Sequence, residues 1–148
     1  MNIINSIEEL EKIPITKFYT TDAMVHGLDL SNTLLVDLNL QGADFRYVNL
    51  ENAGIEDCFF TEANLEAVNF IDANLDNVNF ENANLESANF DYATLVNVNL
   101  ENANLKNAKF YNCNLENVNL KNANLKDANL TKANLKNANL ENANSEAA

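Results

Sequence analysis

The stretch "NVNFENANLESANF", Asn77 to Phe90, decides the fold. It places a large apolar residue at Phe80, Leu85 and Phe90 and a small one at Val78, Ala83 and Ala88, with asparagine in most of the gaps. On an α-helix each residue turns about 100°, so a step of five turns about 140° and scatters the large residues around the axis. On a flat strand the period is two, and a step of five changes face each time. A chain that turns a corner every five residues buries the pattern. Each short side then points two residues inward, the small one and the large one two places later. Such a side buries nothing by itself, so successive coils must stack into a solenoid. Four sides make a coil of about 20 residues, with strands about 4.8 Å apart.

The register holds over most of the chain. Every fifth residue from Leu30 to Leu140, 23 centres in all, is Leu, Phe or Ile. Two places earlier, from Leu28 to Ala138, the residue is mostly Ala or Val, with Cys58 and Cys113 among the exceptions. Asn fills the place just before the centre in 16 of the 23. The motif is A-(N/D)-L-x-x, as in "ANLEA" from Ala63 and "ANLKN" from Ala103. This pattern resembles the pentapeptide-repeat family, from Leu28 to about Asn144. The resemblance implies an all-β fold, a right-handed quadrilateral β-helix. It also implies a protein of the kind abundant in photosynthetic bacteria.

The expected division is an N-terminal cap over 1–27, a β-helix over 28–144 and a tail over 145–148. "SIEELEKIP" reads as a short capping helix: Ser6 and Glu9 fit a capping box, Pro14 stops it, and Ile3, Ile7 and Leu10 give it an apolar stripe. A helix there would block the edge of the first coil. At the other end no helix follows, which leaves an edge for self-pairing in a homodimer. Within the coils, Phe70, Phe90 and Phe110 should stack on one inner side, and Phe60 and Phe80 on another. Asn77, Asn97, Asn117 and Asn137 should form a hydrogen-bonded column.

Composition narrows the function. There are 22 acids against 9 Lys plus Arg, a net charge of -13. That disfavours nucleic-acid and anionic-membrane contact, which want basic surface. The start, "MNIINSIEELEKIP", has no basic n-region and no long apolar run, so a cytoplasmic protein is expected. His26 has no ligand cluster beside it, so no metal is expected. With three glycines and no phosphate-binding loop, no cofactor and no catalytic residue is expected. Cys58 and Cys113 read as small buried residues roughly 13 Å apart, too far for a disulfide.

The outside carries the candidates. Between Arg46 and Lys106 there is no basic residue, and there are 11 acids: Glu51, Glu56, Asp57, Glu62, Glu66, Asp72, Asp76, Glu81, Glu86, Asp91 and Glu101. Over roughly 14 Å of stacked coil this is about 0.8 charge per Å, against about 0.6 for duplex DNA. Some pentapeptide-repeat proteins imitate DNA and bind gyrase and topoisomerase IV, conferring quinolone resistance, so the resemblance implies a DNA mimic as the alternative function. Acids also keep a solenoid soluble, and here they thin out in the last coils, among Lys106, Lys121, Lys126, Lys132 and Lys136. The second feature is apolar. Ile71, Tyr92, Val96 and Tyr111 break the polar rule at outward positions and gather near one corner, a candidate docking patch for a protein partner. Phe59 is another outward exception. The leading expectation is a non-enzymatic scaffold that binds a macromolecule through its surface.

Overall fold

The computed structural model describes residues 2–4 and 27–148. Among them the regular structure is strand only. Five short strands, β1 (Asn2–Ile4), β2 (Thr33–Val36), β3 (Gly54–Glu56), β4 (Asn74–Asp76) and β5 (Thr94–Val96), form one parallel sheet in that order. This sheet is one side of the coil. The other sides are ladders of parallel bridges, each joining a residue to the one 20 later, such as Asn64 to Asn84 and Asn99 to Asn119.

The five-residue side has a local cause. Every fifth residue from Gly27 to Ala147, two places after each centre, has a positive φ of 53–69°. Left-handed backbone turns the chain, and Gly, Asn and Asp tolerate it best; Asn and Asp fill most of these corners. Each side adds a turn bond, such as Ala73 N–H to the Phe70 carbonyl at 3.0 Å. Two bonds to neighbouring coils complete it: Phe70 N–H donates to the Asn89 carbonyl at 2.7 Å, and Asn89 N–H to the Val68 carbonyl at 2.9 Å. The backbone polar groups are thereby paired without long strands.

Inside, the small and large positions make one continuous core from Leu28 to Ala128. Phe70, Phe90 and Phe110 stack at centroid spacings of 4.7 and 5.0 Å, and Phe60 and Phe80 at 5.3 Å. Across the interior, from opposite sides, Phe70 meets Phe80 edge-on at 6.0 Å, and across a corner Phe45 meets Phe60 at 5.3 Å. Both cysteines are free and buried, and burial pushes their thiols up to about 11 for Cys58 and about 12 for Cys113.

Three expectations change. The helix over residues 6–14 lies outside the described residues. Ile3, placed in its apolar stripe, instead belongs to β1, which pairs with β2 through Asn2–Thr33, Ile3–Leu34 and Ile4–Leu35 and extends the sheet by one strand. The asparagine column over Asn77, Asn97, Asn117 and Asn137 is displaced. Those residues sit at corners, and Asn97 Nδ2 donates to Asp76 Oδ1 rather than to Asn77. The corners give single pairs, Asn52 to Asn32, Asn77 to Asp57 and Asn122 to Asn102. The continuous ladders stand just before the centres, where side chains on the flat of the strand face each other one coil apart: Asn84 to Asn64, Asn104 to Asn84, Asn124 to Asn104 and Asn144 to Asn124, at 3.0–3.2 Å. The same Oδ1 accepts the N–H two residues on, as Asn64 does from Glu66 at 3.2 Å. Asparagine suits this place because it donates along the column while accepting from the turn, which Asp cannot do. Residues 145–148 continue the coil: Asp127 N–H donates to the Glu146 carbonyl at 2.9 Å, and Ala147 takes the left-handed corner.

Candidate functional site

Two of the apolar exceptions, Tyr92 and Tyr111, meet at the corner that follows the side centred on Phe90. Tyr92 occupies the corner itself with φ 63° and is 51% exposed. Its ring stands edge-on to Tyr111, 5.5 Å between centroids. Tyr111 is half-buried, and its N–H donates to Asp91 Oδ1 at 2.8 Å. Lys132, in the same corner column as Tyr92 and two coils above it, donates from Nζ to the Tyr111 hydroxyl at 2.8 Å and lies 5.0 Å from the ring centroid. Val96, 41% exposed, closes the next side, and its register partner one coil below is Asp76. Ile71 is half-buried in the Tyr111 column, two coils below with Asp91 between them. The structure thus brings Tyr92 and Tyr111 into contact, sets Val96 at the far end of the next side, one position before the corner at Asn97, and leaves Ile71 at the margin.

The 11 acids are dispersed. Glu51, Asp72 and Asp91 lie on the Tyr111 side and its corner. Glu56, Asp57 and Asp76 follow on the next, Glu62, Glu81 and Glu101 on the third, and Glu66 and Glu86 on the last. Among the described residues one of them makes an ion pair, Glu86 with Lys106 at 3.4 Å. In the upper coils the charges pair vertically: Lys121 with Glu141, Lys126 with Glu146, and Lys136 with Glu116 at 2.9 Å. Hydrogen bonding to Lys136 and its charge hold the Glu116 carboxyl below its usual range and raise the Lys136 ammonium. Asp29, at the foot of an asparagine column, is lowered by the hydroxyl and N–H of Ser31.

In the last coil, among the described residues, the amides of Leu130, Lys132, Leu135, Asn137, Leu140 and Asn142 meet no backbone acceptor. Leu140 there is 41% exposed.

Two family models match this chain: the pentapeptide repeat region over residues 40–110 and pentapeptide repeats in eight copies over 108–144. The chain belongs to the pentapeptide-repeat family. Similar solved structures include the pentapeptide-repeat protein Rfr23 from the cyanobacterium Cyanothece 51142, at 26% identity over 75% of this chain and 86% of that one, with a TM-score of 0.45. QnrB1, a plasmid-mediated fluoroquinolone resistance protein, is 14% identical over 97% and 77%, with a TM-score of 0.36. HetL, a pentapeptide-repeat protein involved in heterocyst differentiation regulation from Nostoc sp. strain PCC 7120, is 19% identical over 80% and 87%, with a TM-score of 0.24. Among curated proteins none matches the chain.

For this pentapeptide-repeat protein, sequence reasoning placed Tyr92 and Tyr111 at neighbouring positions but missed Lys132, and it did not single out Tyr47. Lys132 reaches Tyr111 across 21 residues; its signal was its place at a corner where Asn is usual. Tyr47 is a second left-handed corner tyrosine, φ 61° and 53% exposed. Phe59, 51% exposed, stands in an asparagine column between Asn39 and Asn79 and interrupts it. Among the described residues, no group of three or more His, Cys, Asp or Glu could hold a metal ion, and no helix is long and apolar enough to cross a membrane.

Proposed function

We propose that this protein is a non-catalytic scaffold that docks another protein at the corner formed by Tyr92 and Tyr111, with Val96 on the adjoining side. One observation carries the reading: Tyr92 sits in left-handed backbone that Asn would occupy with less strain, and half of its surface faces solvent. The fold has no need of a bulky ring there. A binding surface does, because exposed aromatic groups on a rigid frame give contact area at low ordering entropy. The frame is rigid in this sense, each coil being bonded to its neighbours at every side. The non-catalytic part rests on the thiols: the two nucleophilic candidates, Cys58 and Cys113, are buried and held protonated.

Tagged protein in a native lysate, with mass spectrometry, tests the docking. Captured proteins should be lost in common when the bait carries Tyr92→Asn or Tyr111→Glu. The same set retained by all three baits refutes it.

A second reading, an acidic mimic of duplex DNA directed at a topoisomerase, is favoured by ten of the 11 acids having no ion-pair partner among the described residues. It predicts inhibition of gyrase supercoiling that disappears when those acids are neutralised. The corner reading predicts no such inhibition. Self-association through the bare amides of the last coil belongs to the first reading as a second contact, since a two-fold contact closes on itself. Light scattering should then report a dimer that Leu140→Asp splits; a monomer at high micromolar concentration contradicts it.

A further inference from the structure

Resting on the docking reading, we infer that the partner presents a basic segment bearing apolar residues, and that one of its cations lies over the exposed face of Tyr92. At the neighbouring Tyr111 a cation is already held, at the polar end of the ring: the Lys132 ammonium donates to the hydroxyl at 2.8 Å and lies 5.0 Å from the centroid. A ring face attracts a cation through its quadrupole, and the attraction strengthens where water is excluded. Tyr92 offers a second ring, inclined at 76° to the first, and the corner column above it runs through the uncharged Asn112 to Lys132, two coils up and bonded to the Tyr111 hydroxyl.

The charge around Tyr92 selects the sign of the visitor. Asp72 occupies the same corner column one coil below. Asp76 lies one coil below Val96, and Asp91 precedes Tyr92. At strand spacing Asp72 stands about 5 Å below the tyrosine and Asp91 is its chain neighbour, so both lie inside one Debye length at physiological salt. Towards the upper coils the field changes. Lys132 holds the Tyr111 hydroxyl, and Glu116, in the Val96 column, is matched by Lys136. An acidic segment would meet uncompensated carboxylates below; a purely polar one would leave Val96 and Ile71 unused. A basic segment with apolar side chains satisfies both halves of the corner.

The test uses fluorescence anisotropy with short labelled peptides as probes: alternating Arg and Leu, alternating Glu and Leu, and alternating Arg and Ser. The wild-type protein should bind the Arg-Leu peptide best, and more weakly as salt rises. Tyr92→Asn should bind it about tenfold more weakly, the loss typical of a central interface residue, while its melting curve shows a folded protein. Asp72→Asn, a change the left-handed corner accepts, should weaken binding severalfold and flatten the salt dependence. If the Glu-Leu peptide binds as well, and Tyr92→Asn still abolishes it, the cation is refuted and the docking corner stands. If the Arg-Leu peptide binds wild type and Tyr92→Asn alike, contact with the general acidic surface explains it and the inference falls. If none of the peptides binds in a manner that depends on Tyr92, both the inference and the docking reading fail.

Discussion

Phe80→Ala tests the register and the packing together. Phe80 is fully buried, stacked on Phe60 at 5.3 Å and edge-on to Phe70 at 6.0 Å. Truncation of a buried Phe costs about 3–5 kcal/mol, the larger values applying where the surroundings cannot close on the cavity. Here they are pinned: Phe80 N–H is bonded to the Asn99 carbonyl at 2.8 Å, and Asn79 N–H to the Cys58 carbonyl at 3.0 Å. Coils held at fixed spacing above and below leave the void open, and two ring contacts vanish with it. We therefore expect about 4–5 kcal/mol. Glu81→Ala, the next residue but on the outer surface and in no ion pair among the described residues, should change stability by under about 0.5 kcal/mol. Urea melts of the two variants give the comparison. Losses of similar size would refute the assignment of inward and outward positions, and with it the coil.

Other outcomes follow from the same geometry. Asn104→Ala removes a donor to Asn84, an acceptor for Asn124 and an acceptor for the Lys106 amide, each at 3.0–3.3 Å; thermal melts should show a loss of about 1–2 kcal/mol, with Asn104→Asp in between. Like charges stack one coil apart at Glu56 over Asp76 and Glu66 over Glu86, so added salt should raise the melting temperature, and an unchanged value would contradict that repulsion. The thiols, raised from 9.0 to about 11 and about 12, should resist alkylation at pH 8 until the protein is unfolded, as mass spectrometry would show. Because these folded values are raised, the stabilisation they represent is complete below pH 9 and declines as pH climbs towards 11, which an alkaline denaturation series would detect.

The coil was legible because its signal is repeated: an inward pair every five residues leaves no other period that buries Phe70, Phe90 and Phe110 together. The stacking of those rings follows from the same count. What the sequence hid were pairings without a repeat. Three residues, Asn2–Ile4, carry no pattern that announces a partner at Thr33, so Ile3 read equally well as part of a helix stripe. Asparagine occurs both at corners and before centres, and composition alone did not say which column would ladder. The columns before the centres run on over several coils, while corner pairs such as Asn52 to Asn32 and Asn122 to Asn102 occur singly. At the candidate site, register brought Tyr92 and Tyr111 to neighbouring columns, but the edge-on contact and the Lys132 cation depend on side-chain direction, which spacing does not encode.

The central claim is that the Tyr92 corner is where a partner sits. A photo-crosslinking amino acid in place of Tyr92, and separately in place of Glu101 on the opposite side, measures this in native lysate. The account predicts one discrete crosslinked protein from position 92 and none from position 101. Identical products from both positions, or none from position 92, would contradict it.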